Sequence, residues 1–461
     1  MLPQTGCTAF DQDFAQIYAL ATRQVHTPDE LTQTLRELYR TIFDVDLGAY
    51  DIGELRAEAG QVLRATYHLR MSIRDRLSDW QNRGLMTRES EYALRGVFRA
   101  SRYATDMLGE LTIGYDQMDP GDKPYRAFTG PNNNTLIHPS FDIDGQSLLF
   151  QSGDVLVVRG LRHNSAAIAR VGDVDSQFSH AAMVHIDDKG RHRILEALIE
   201  EGATISNFEY TLEHGLGRAV LFRHRDSDVA ARAADKMYER IKASRSMGGK
   251  HIFYDFSMEL GDYKELFCSK LIREGYDRAS GGLVELPTYP TEFRYAPRDF
   301  LDRIGVTAEE SFAPGDMELE TQFHAVAEWR DYRKTSTLRL MDMVMVKLFE
   351  WMEQKNYIFR PTFMIRLIGF FGKLTGHLPN AIKDFLTFVV PKVPSNMTKS
   401  TIEAIAMLHK TAEPLFQELN TLERQSISTT GRPLHPRDIY AHLDQVELKA
   451  GGKIGYLRRP K

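Results

Sequence analysis

The chain has 461 residues, of which 42% are hydrophobic and 26% are charged, and its formal net charge at pH 7 is -5. This length exceeds what one hydrophobic core usually serves, so we expect two or three domains. The balanced charge lacks the basic excess of nucleic-acid-binding proteins, and we expect no nucleic-acid partner. Cys7 and Cys268 are too few cysteines for a disulfide framework, which favours a reducing compartment.

No stretch of the sequence is long and apolar enough to predict a membrane-spanning helix. The most apolar part, FMIRLIGFFGKLTG, is interrupted by Arg366 and Lys373, whereas a spanning helix needs about 18 apolar residues or more. The first residues carry neither a basic start nor the apolar run of a signal peptide. We therefore expect a cytoplasmic protein.

Residues 1–117 are predicted to form a helical N-terminal region. Thr27 as N-cap, with Glu30 closing a capping box, marks one helix start. A longer helical pattern runs from residue 54 to 82, and Thr87 is expected to cap the next helix. Five arginines in and just after the longer pattern are interpreted as a solvated face rather than a surface for anionic lipid: Arg64, Arg70, Arg74, Arg76 and Arg83.

Residues 148–305 are predicted to form an α+β domain, preceded at 118–147 by a linker rich in turn-forming residues. Short β-branched or alternating runs favour strands in this domain. They cover residues 154–160, 180–186, 193–199, 203–208 and 218–224. Two helices follow, one opening at Asp228 and one at Cys268. Several strands, which we expect to pair antiparallel, followed by helices are typical of an α+β domain.

Residues 306–461 are predicted to form a helical C-terminal region. Trp329 is assigned to a helix, and a last helix is expected from about residue 400 to 420, followed by a loose tail. The segment 338–391 is rich in Met, Leu, Val and Phe, with lysines between them. Packing of helices is our first interpretation of this segment. Peripheral membrane contact through an in-plane helix is the alternative.

Cys268 is the first candidate for chemistry. It stands where a helix is expected to begin, ahead of the apolar positions Leu271 and Tyr276, and the positive end of a helix dipole favours thiolate over thiol. A base and a carboxylate that could complete a thiol hydrolase stand on two predicted strands, at His180 and Glu196. Taken singly, each residue has an ordinary structural alternative, such as a buried, inert cysteine.

The polar tip between the two strands offers a geometric argument. His180 lies eight residues before Asp188, and Glu196 lies eight residues after it. With an odd-numbered loop the two side chains would face each other directly, with Cβ atoms about 5 Å apart, and the carboxylate could orient the imidazole. An even-numbered loop would put them on opposite faces of the sheet.

We expect no metal and no cofactor. The 15 histidines include no His-x3-His pair on a predicted helix, and the two cysteines are far apart. His180 and His185 differ by five positions, so they point to opposite faces of a strand. No phosphate-binding loop of the form Gly-x4-Gly-Lys-Ser/Thr occurs.

Five short motifs follow one another through the predicted α+β domain. They are GDVL at 153–156, FSHAAMV at 178–184, LEA at 195–197, YD at 254–255 and FCSKLI at 267–272. Together they resemble the YiiX/YebB-like branch of the NlpC/P60 superfamily, whose members are permuted papain-like thiol hydrolases. The resemblance covers about residues 150 to 300. The permutation explains why the histidine precedes the cysteine here.

The resemblance implies roles for four residues. Cys268 would be the nucleophile, His180 the general base and later acid, and Glu196 the group that orients the histidine. Tyr254 would lie beside the thiol and help to position the substrate or an oxyanion, with the backbone N–H of Cys268 as a second donor. The sequence departs from the family at Lys270, where Glu is frequent, and in the spacing that follows Tyr254.

The implied function is a cysteine hydrolase that cleaves an amide or ester bond through an acyl-enzyme, with a peptide, amide or acyl-lipid substrate. The related lecithin:retinol acyltransferase-like branch makes acyl transfer or lipid deacylation an alternative, which the apolar segment 338–391 would suit. A helical interaction protein with a vestigial papain-like core is a third hypothesis, and it would leave Cys268 with ordinary thiol reactivity.

Overall fold

The N-terminal helices follow the predicted pattern in the computed structural model, which describes residues 4–118, 125–128, 133–141, 148–294, 297–372 and 393–460. They are α1 (Thr8–Thr22), α2 (Pro28–Phe43), α3 (Ile52–Asp75), α4 (Leu77–Asn82) and α5 (Arg88–Ile113). The capping box of Thr27 and Glu30 opens α2, and Thr87 caps α5. The single helix predicted for 54–82 is wrong, because the backbone N–H of Arg76 turns to carbonyls three residues or fewer before it and ends α3.

The interpretation of the α3 arginines as a solvated face is wrong for two of them. Arg70 is buried and pairs with Glu328. Arg74 is buried as well and donates hydrogen bonds to the backbone carbonyls of Glu318, Glu320 and Phe323. These partners lie far along the chain, so the local helical pattern carried no sign of them.

The twelve strands in the described part of the chain divide into one large sheet and two small ones. Their bounds are β1 (Thr135–Ile137), β2 (Val155–Gly160), β3 (His180–Ile186), β4 (His192–Leu198), β5 (Gly202–Asn207), β6 (Leu216–His224), β7 (Thr291–Glu292), β8 (Glu310–Ser311), β9 (Phe323–Arg330), β10 (Ile358–Phe359), β11 (Lys453–Ile454) and β12 (Leu457–Arg458). The large sheet has the order β1–β9–β6–β2–β3–β4–β5, and every neighbouring pair is antiparallel. The predicted α+β fold with an antiparallel sheet is confirmed.

Two strands of the large sheet come from outside residues 148–305. β1 falls within the predicted linker, and β9 falls within the predicted C-terminal helical region. The assignment of Trp329 to a helix is wrong, since this residue lies in β9, fully buried and paired with β1 on one side and β6 on the other. The domain boundaries themselves stay a prediction.

The remaining helices surround the sheet. Their bounds are α6 (His163–Arg170), α7 (Phe208–Glu213), α8 (Ser227–Arg245), α9 (Cys268–Ser280), α10 (Asp299–Ile304), α11 (Thr335–Lys355), α12 (Phe363–Gly372), α13 (Lys399–Thr430) and α14 (Pro436–Lys449). Short 3-10 helices lie at Leu47–Ala49, Tyr115–Gln117 and Pro314–Leu319. The loose tail we predicted is wrong, because α13 runs on to Thr430 and is followed by α14 and the paired strands β11 and β12.

The apolar segment 338–391 begins inside the core. Except for the half-buried Val346, the apolar side chains of α11 from Leu338 to Trp351 are buried, most of them against α13 and its neighbours. α12 instead exposes Phe363, Met364 and Phe370. The part of the segment from residue 373 onward lies outside the described residues. In the parts of the chain that the structure describes, no helix combines the length and apolarity needed to cross a membrane.

Buried ion pairs join the N-terminal helices, the sheet and the C-terminal helices. Arg330 in β9 lies 2.9 Å from Asp106 in α5. Arg339 in α11 lies 2.7 Å from Glu110 in α5 and 2.7 Å from Glu423 in α13. All five side chains are almost completely excluded from solvent. Each carboxylate therefore depends on its arginine, because an unpaired charge in such surroundings is strongly disfavoured.

The Gly-Asp motif at 153–154 positions the helices that cover the sheet. Gly153 has a φ of +88°, and a Cβ atom there would lie 2.3 Å from the carbonyl oxygen of Ala230 in α8. Only glycine therefore lets α8 approach this closely. The hydroxyl of Tyr276 in α9 donates a hydrogen bond of 2.6 Å to the carbonyl of Gly153. This contact fixes the helix that begins at Cys268.

Candidate active site

Cys268 is the first residue of α9, as the sequence predicted. The side chain of the N-cap residue Phe267 makes no capping hydrogen bond, and the backbone N–H of Leu271 bonds to the carbonyl of Phe267. The thiol is buried and receives a hydrogen bond from the backbone N–H of Ala181 at the start of β3. Sγ therefore lies at the positive end of α9, where a thiolate is favoured.

His180 and Glu196 are brought together, but not by the direct pairing we considered. Met183 pairs with Leu195, so Glu196 falls opposite position 182, two residues from His180. The two side chains share a face as diagonal neighbours, which are within reach of long side chains. Nε2 of His180 lies 2.8 Å from Oε2 of Glu196.

The reason for this register is the position of the turn along the chain. Ile186 pairs with His192, so the loop has an odd number of residues, five, but its centre is position 189 instead of 188. The carboxylate of Asp187 accepts hydrogen bonds from the backbone N–H groups of Lys189 and Arg191 within this loop. A one-residue shift of the centre moves the pairing by two positions and keeps both side chains on one face.

The contact between the thiol and the imidazole favours the charged form of each. Burial alone would lower the pKa of His180, but its hydrogen bonds with Cys268 and Glu196, and the charges of both, raise the pKa to about 10. Burial alone would raise the pKa of Cys268, but the hydrogen bond and charge of His180 outweigh it and lower the pKa. Both shifts therefore act in favour of thiolate and imidazolium.

Glu196 remains charged beside the imidazolium. Burial would raise the pKa of this carboxyl, but the hydrogen bond and charge of His180, together with the hydroxyl of Ser206, lower it. Because Nε2 of His180 is taken by Glu196, Nδ1 is left for the thiol. Glu196 thus fixes the orientation of the imidazole ring through Nε2.

Tyr254 lies in the same site and is buried. Burial and the negative charges of Cys268, Glu200 and Asp255 raise its pKa well above the ordinary tyrosine value, so the hydroxyl keeps its proton and can donate it in a hydrogen bond. The side-chain amide of Asn396 donates a hydrogen bond of 2.8 Å to the backbone carbonyl of Tyr254. The C-terminal region therefore contacts the site directly.

A cavity of about 840 Å³ opens beside Cys268 and Tyr254. Much of its wall is apolar and comes from the helices α10, α11 and α13. The residues concerned are Phe300, Ile304, Met341, Ile405, Leu408 and Phe416. A cavity of this size suits a bulky, largely apolar group, with the thiol in its wall.

Sequence reasoning missed several polar residues of this cavity. Glu200 lines it just after β4, and burial raises the pKa of its carboxyl. His163, His409 and Glu413 line it as well. The pair Glu200-Glu201 at the end of an apolar strand was a visible signal for the first. His409 and Glu413, one turn apart on a helix, were a weaker one.

Comparison with known proteins agrees with this architecture. Residues 150–314 match the model of the family of permuted papain-like amidase enzymes, YaeF/YiiX, C92 family. The resemblance predicted for the central region and its permuted papain-like fold are thereby confirmed, and the relatives of this region are hydrolases. Searches of curated proteins and of solved structures returned no significant match.

Proposed function

We propose that this protein is a cysteine hydrolase that cleaves an amide or ester bond through an acyl-enzyme. The observation that carries the proposal is the chain of contacts from Glu196 through His180 to Cys268. Nε2 of His180 lies 2.8 Å from Glu196, and the same ring is hydrogen-bonded to the thiol at the start of α9. This is the arrangement of nucleophile, base and orienting group that thiol catalysis needs.

In the acylation half, the Cys268 thiolate attacks the substrate carbonyl carbon and forms a C–S bond. The carbonyl oxygen becomes an oxyanion, for which the backbone N–H of Cys268 and the protonated Tyr254 hydroxyl are the available donors. The imidazolium of His180 then gives its proton to the departing amine or alcohol. The C–N or C–O bond breaks, and a thioester on Cys268 remains.

In the deacylation half, neutral His180 takes a proton from a water molecule, which attacks the thioester carbonyl. The C–S bond breaks, a carboxylic acid leaves, and the proton on His180 restores the thiolate–imidazolium pair. Glu196 stabilises the imidazolium in both halves through its contact with Nε2. If an alcohol or amine replaced the water, the same steps would transfer the acyl group.

The pH dependence of alkylation at Cys268 by iodoacetamide tests the proposal. It is measured in a Cys7→Ala background, so that only one thiol reacts. We expect an apparent pKa well below the free cysteine value of about 8.5. In His180→Ala the pKa should rise to the free value or above it, because burial then acts without the imidazolium.

His192→Ala is the matched control, since it removes another histidine at the end of a neighbouring strand. It should leave the alkylation profile unchanged. If the background protein and His180→Ala both titrate near the free value, or if Cys268 does not react at all, the proposal fails. The hypothesis of a vestigial core would then be favoured.

Lipid deacylation or acyl transfer is a second candidate function, and the apolar cavity favours it. The side chains from α10, α11 and α13 surround a volume in which an acyl chain could lie with its carbonyl at Cys268. p-Nitrophenyl esters from acetate to palmitate, compared with p-nitroanilides of short peptides, separate the two candidates. A rise in kcat/KM with acyl length supports the lipid substrate, and a preference for the peptide anilides supports amide cleavage.

A lipid substrate would suit a protein that contacts the membrane surface. Within the segment 338–391, α12 is the described part that could make this contact. Phe363, Met364 and Phe370 are 76%, 56% and 55% exposed, whereas most of the apolar residues of α11 are buried. Sedimentation with liposomes should carry the protein down, and the change Phe363→Ser with Phe370→Ser should release it. An exposed apolar residue elsewhere, changed as Leu283→Ser, is the control. Equal sedimentation of all three proteins would exclude α12 as the contact.

We also propose a cytoplasmic location. Both cysteines are free thiols, and the proposed chemistry depends on Cys268 staying reduced. Cell fractionation with an antibody to the native protein tests this. Recovery from an oxidising compartment would contradict it.

A further inference from the structure

Three metal-ligating side chains meet in the wall of the cavity, apart from the cysteine site. His163 opens α6, while His409 and Glu413 stand one turn apart on α13. One donor atom from each lies within 4.8 Å of the other two. Because α6 and α13 are distant in sequence, these three residues form no local metal-binding motif.

The two imidazole rings lie against each other. His163 is 4% exposed, and its ring stands edge-on to the ring of His409 with centroids 5.2 Å apart.

His163 turns one ring nitrogen toward Glu413. Nδ1 lies 3.6 Å from a carboxylate oxygen of Glu413, beyond a good hydrogen bond, and Nε2 is buried without any partner among the described residues. An ion between the three side chains would bind Nδ1 in place of this weak contact.

We propose that His163, His409 and Glu413 bind a divalent transition-metal ion of the Zn²⁺ type. Two histidines and one glutamate are an established ligand set for this ion, with Zn–N distances of about 2.0–2.1 Å. Tetrahedral geometry at that distance puts donors roughly 3.3 Å apart, so side chains now within 4.8 Å need only rotamer adjustments of about 1 Å to close on the ion.

Three protein ligands leave one position of a tetrahedral ion open. All three residues line the cavity that Cys268 also lines, so the open position faces the same space. It can accept a carbonyl, carboxylate or phosphate oxygen of whatever occupies the cavity. The ion would also fasten α13 to α6, and thus the C-terminal helices to the region that matches the amidase family.

The test is titration of the purified full chain with Zn²⁺ and with Co²⁺. The protein carries Cys7→Ala and Cys268→Ser, so that no thiol can act as a ligand, and it is first treated with a chelator. We expect one equivalent of Zn²⁺ to bind and to raise the Tm. Co²⁺ should give the visible absorption bands of a tetrahedral nitrogen–oxygen site, and Zn²⁺ should remove them.

Single changes in the ligands locate the ion. His409→Ala and Glu413→Gln should each weaken Zn²⁺ binding by about 100-fold or more. The control is His442→Ala, which removes a histidine that contacts Glu418 on the outer side of α13. It should bind Zn²⁺ as the parent does. Glu413 is 38% exposed, so Glu413→Gln should fold even if a histidine variant does not.

Absence of Zn²⁺ and Co²⁺ binding by the parent protein would overturn the proposal. Binding that is equal in the parent and in Glu413→Gln and His409→Ala would overturn it too, because the ion would then lie elsewhere. These outcomes do not depend on the proposed hydrolase activity. The reaction of Cys268 can succeed or fail without affecting them.

Discussion

Nζ of Lys270 lies 2.7 Å from Oδ2 of Asp255, and both side chains are buried. The pair joins the first turn of α9, which carries Cys268, to the segment that carries Tyr254. The other carboxylate oxygen of Asp255 accepts hydrogen bonds from the backbone and hydroxyl of Ser257. Lys270 departs from the family that the sequence resembles, in which glutamate is frequent at this position. In this chain the lysine has a buried carboxylate as its partner.

We predict that Lys270→Met destabilises the protein by about 3–5 kcal/mol, because Asp255 would keep a buried charge without its partner. Urea unfolding measures the loss. Lys270→Met with Asp255→Asn should recover a substantial part of it, since the double variant has no unpaired charge. If the two single changes are simply additive, the ion pair does not carry the stability.

Glu196→Gln should weaken catalysis through the histidine. The change keeps the shape but removes the charge that helps to raise the pKa of His180 to about 10, so this pKa should fall and the thiol pKa should rise. For the wild type, kcat/KM should rise as Cys268 ionises and decline as pH passes about 10, where His180 loses its proton.

In Glu196→Gln the declining limb should move to lower pH and the maximum should drop by about 100-fold. The pH profile of kcat/KM with an activated ester provides both values. Glu201→Gln, an exposed neighbour of the site, is the control and should reproduce the wild-type profile. An unchanged declining limb in Glu196→Gln would mean that Glu196 does not act through His180.

Ile405→Phe should shorten the acyl group that the cavity accepts. Ile405 lines the cavity from α13, and a larger side chain there reduces the space for an acyl chain. We expect kcat/KM for long-chain p-nitrophenyl esters to fall by about 10-fold or more, with the acetate ester unaffected. Ile427 is on the same helix but does not line this cavity, so Ile427→Phe should leave kcat/KM unchanged for both the long-chain esters and the acetate ester. Equal losses for short and long esters would contradict an acyl-binding cavity.

Arg339→Met should destabilise the protein in a pH-dependent way. The arginine pairs with Glu110 and Glu423, and even so burial raises the pKa of Glu110 to about 7. A carboxyl group whose pKa is raised by folding favours the folded state below its unfolded pKa, and this contribution is lost as pH rises through the folded value.

The loss in Arg339→Met should therefore be about 3–5 kcal/mol at pH 8, where both carboxylates are charged, and smaller at pH 5. Urea unfolding at both pH values tests this. Lys264→Met removes an exposed pair with Asp262 and should leave the free energy of unfolding almost unchanged at either pH. A pH-independent loss for Arg339→Met would argue against charge on Glu110 as the cause.

Local patterns predicted the local elements well. The strands β2 to β6 and the start of α9 at Cys268 follow from alternation, β-branched residues and turn signals that lie within each segment. The family motifs then supplied the candidate site residues, and the structure brings Cys268, His180 and Glu196 into contact. The residues within each segment were therefore enough to predict these strands and the start of α9.

Features that depend on distant partners were not predictable in the same way. β9 is a strand because β1 and β6 offer it hydrogen bonds on both sides, and its own sequence did not exclude a helix. Arg70 can be buried because its charge pairs with Glu328 in β9. The contact of His163 with α13 and the cavity walls also arise only when segments far apart in the sequence come together.

The position of β9 has a consequence for where the chain can be divided. The region that matches the amidase family ends at residue 314, yet β6 borders β9, which begins at Phe323. A protein cut at that boundary would leave unpaired backbone groups on the edge of β6 that faces β9, and such an open edge can pair with other chains. Residues 150–314 therefore lack part of the sheet that they belong to. A fusion protein that carries this region would also need β9.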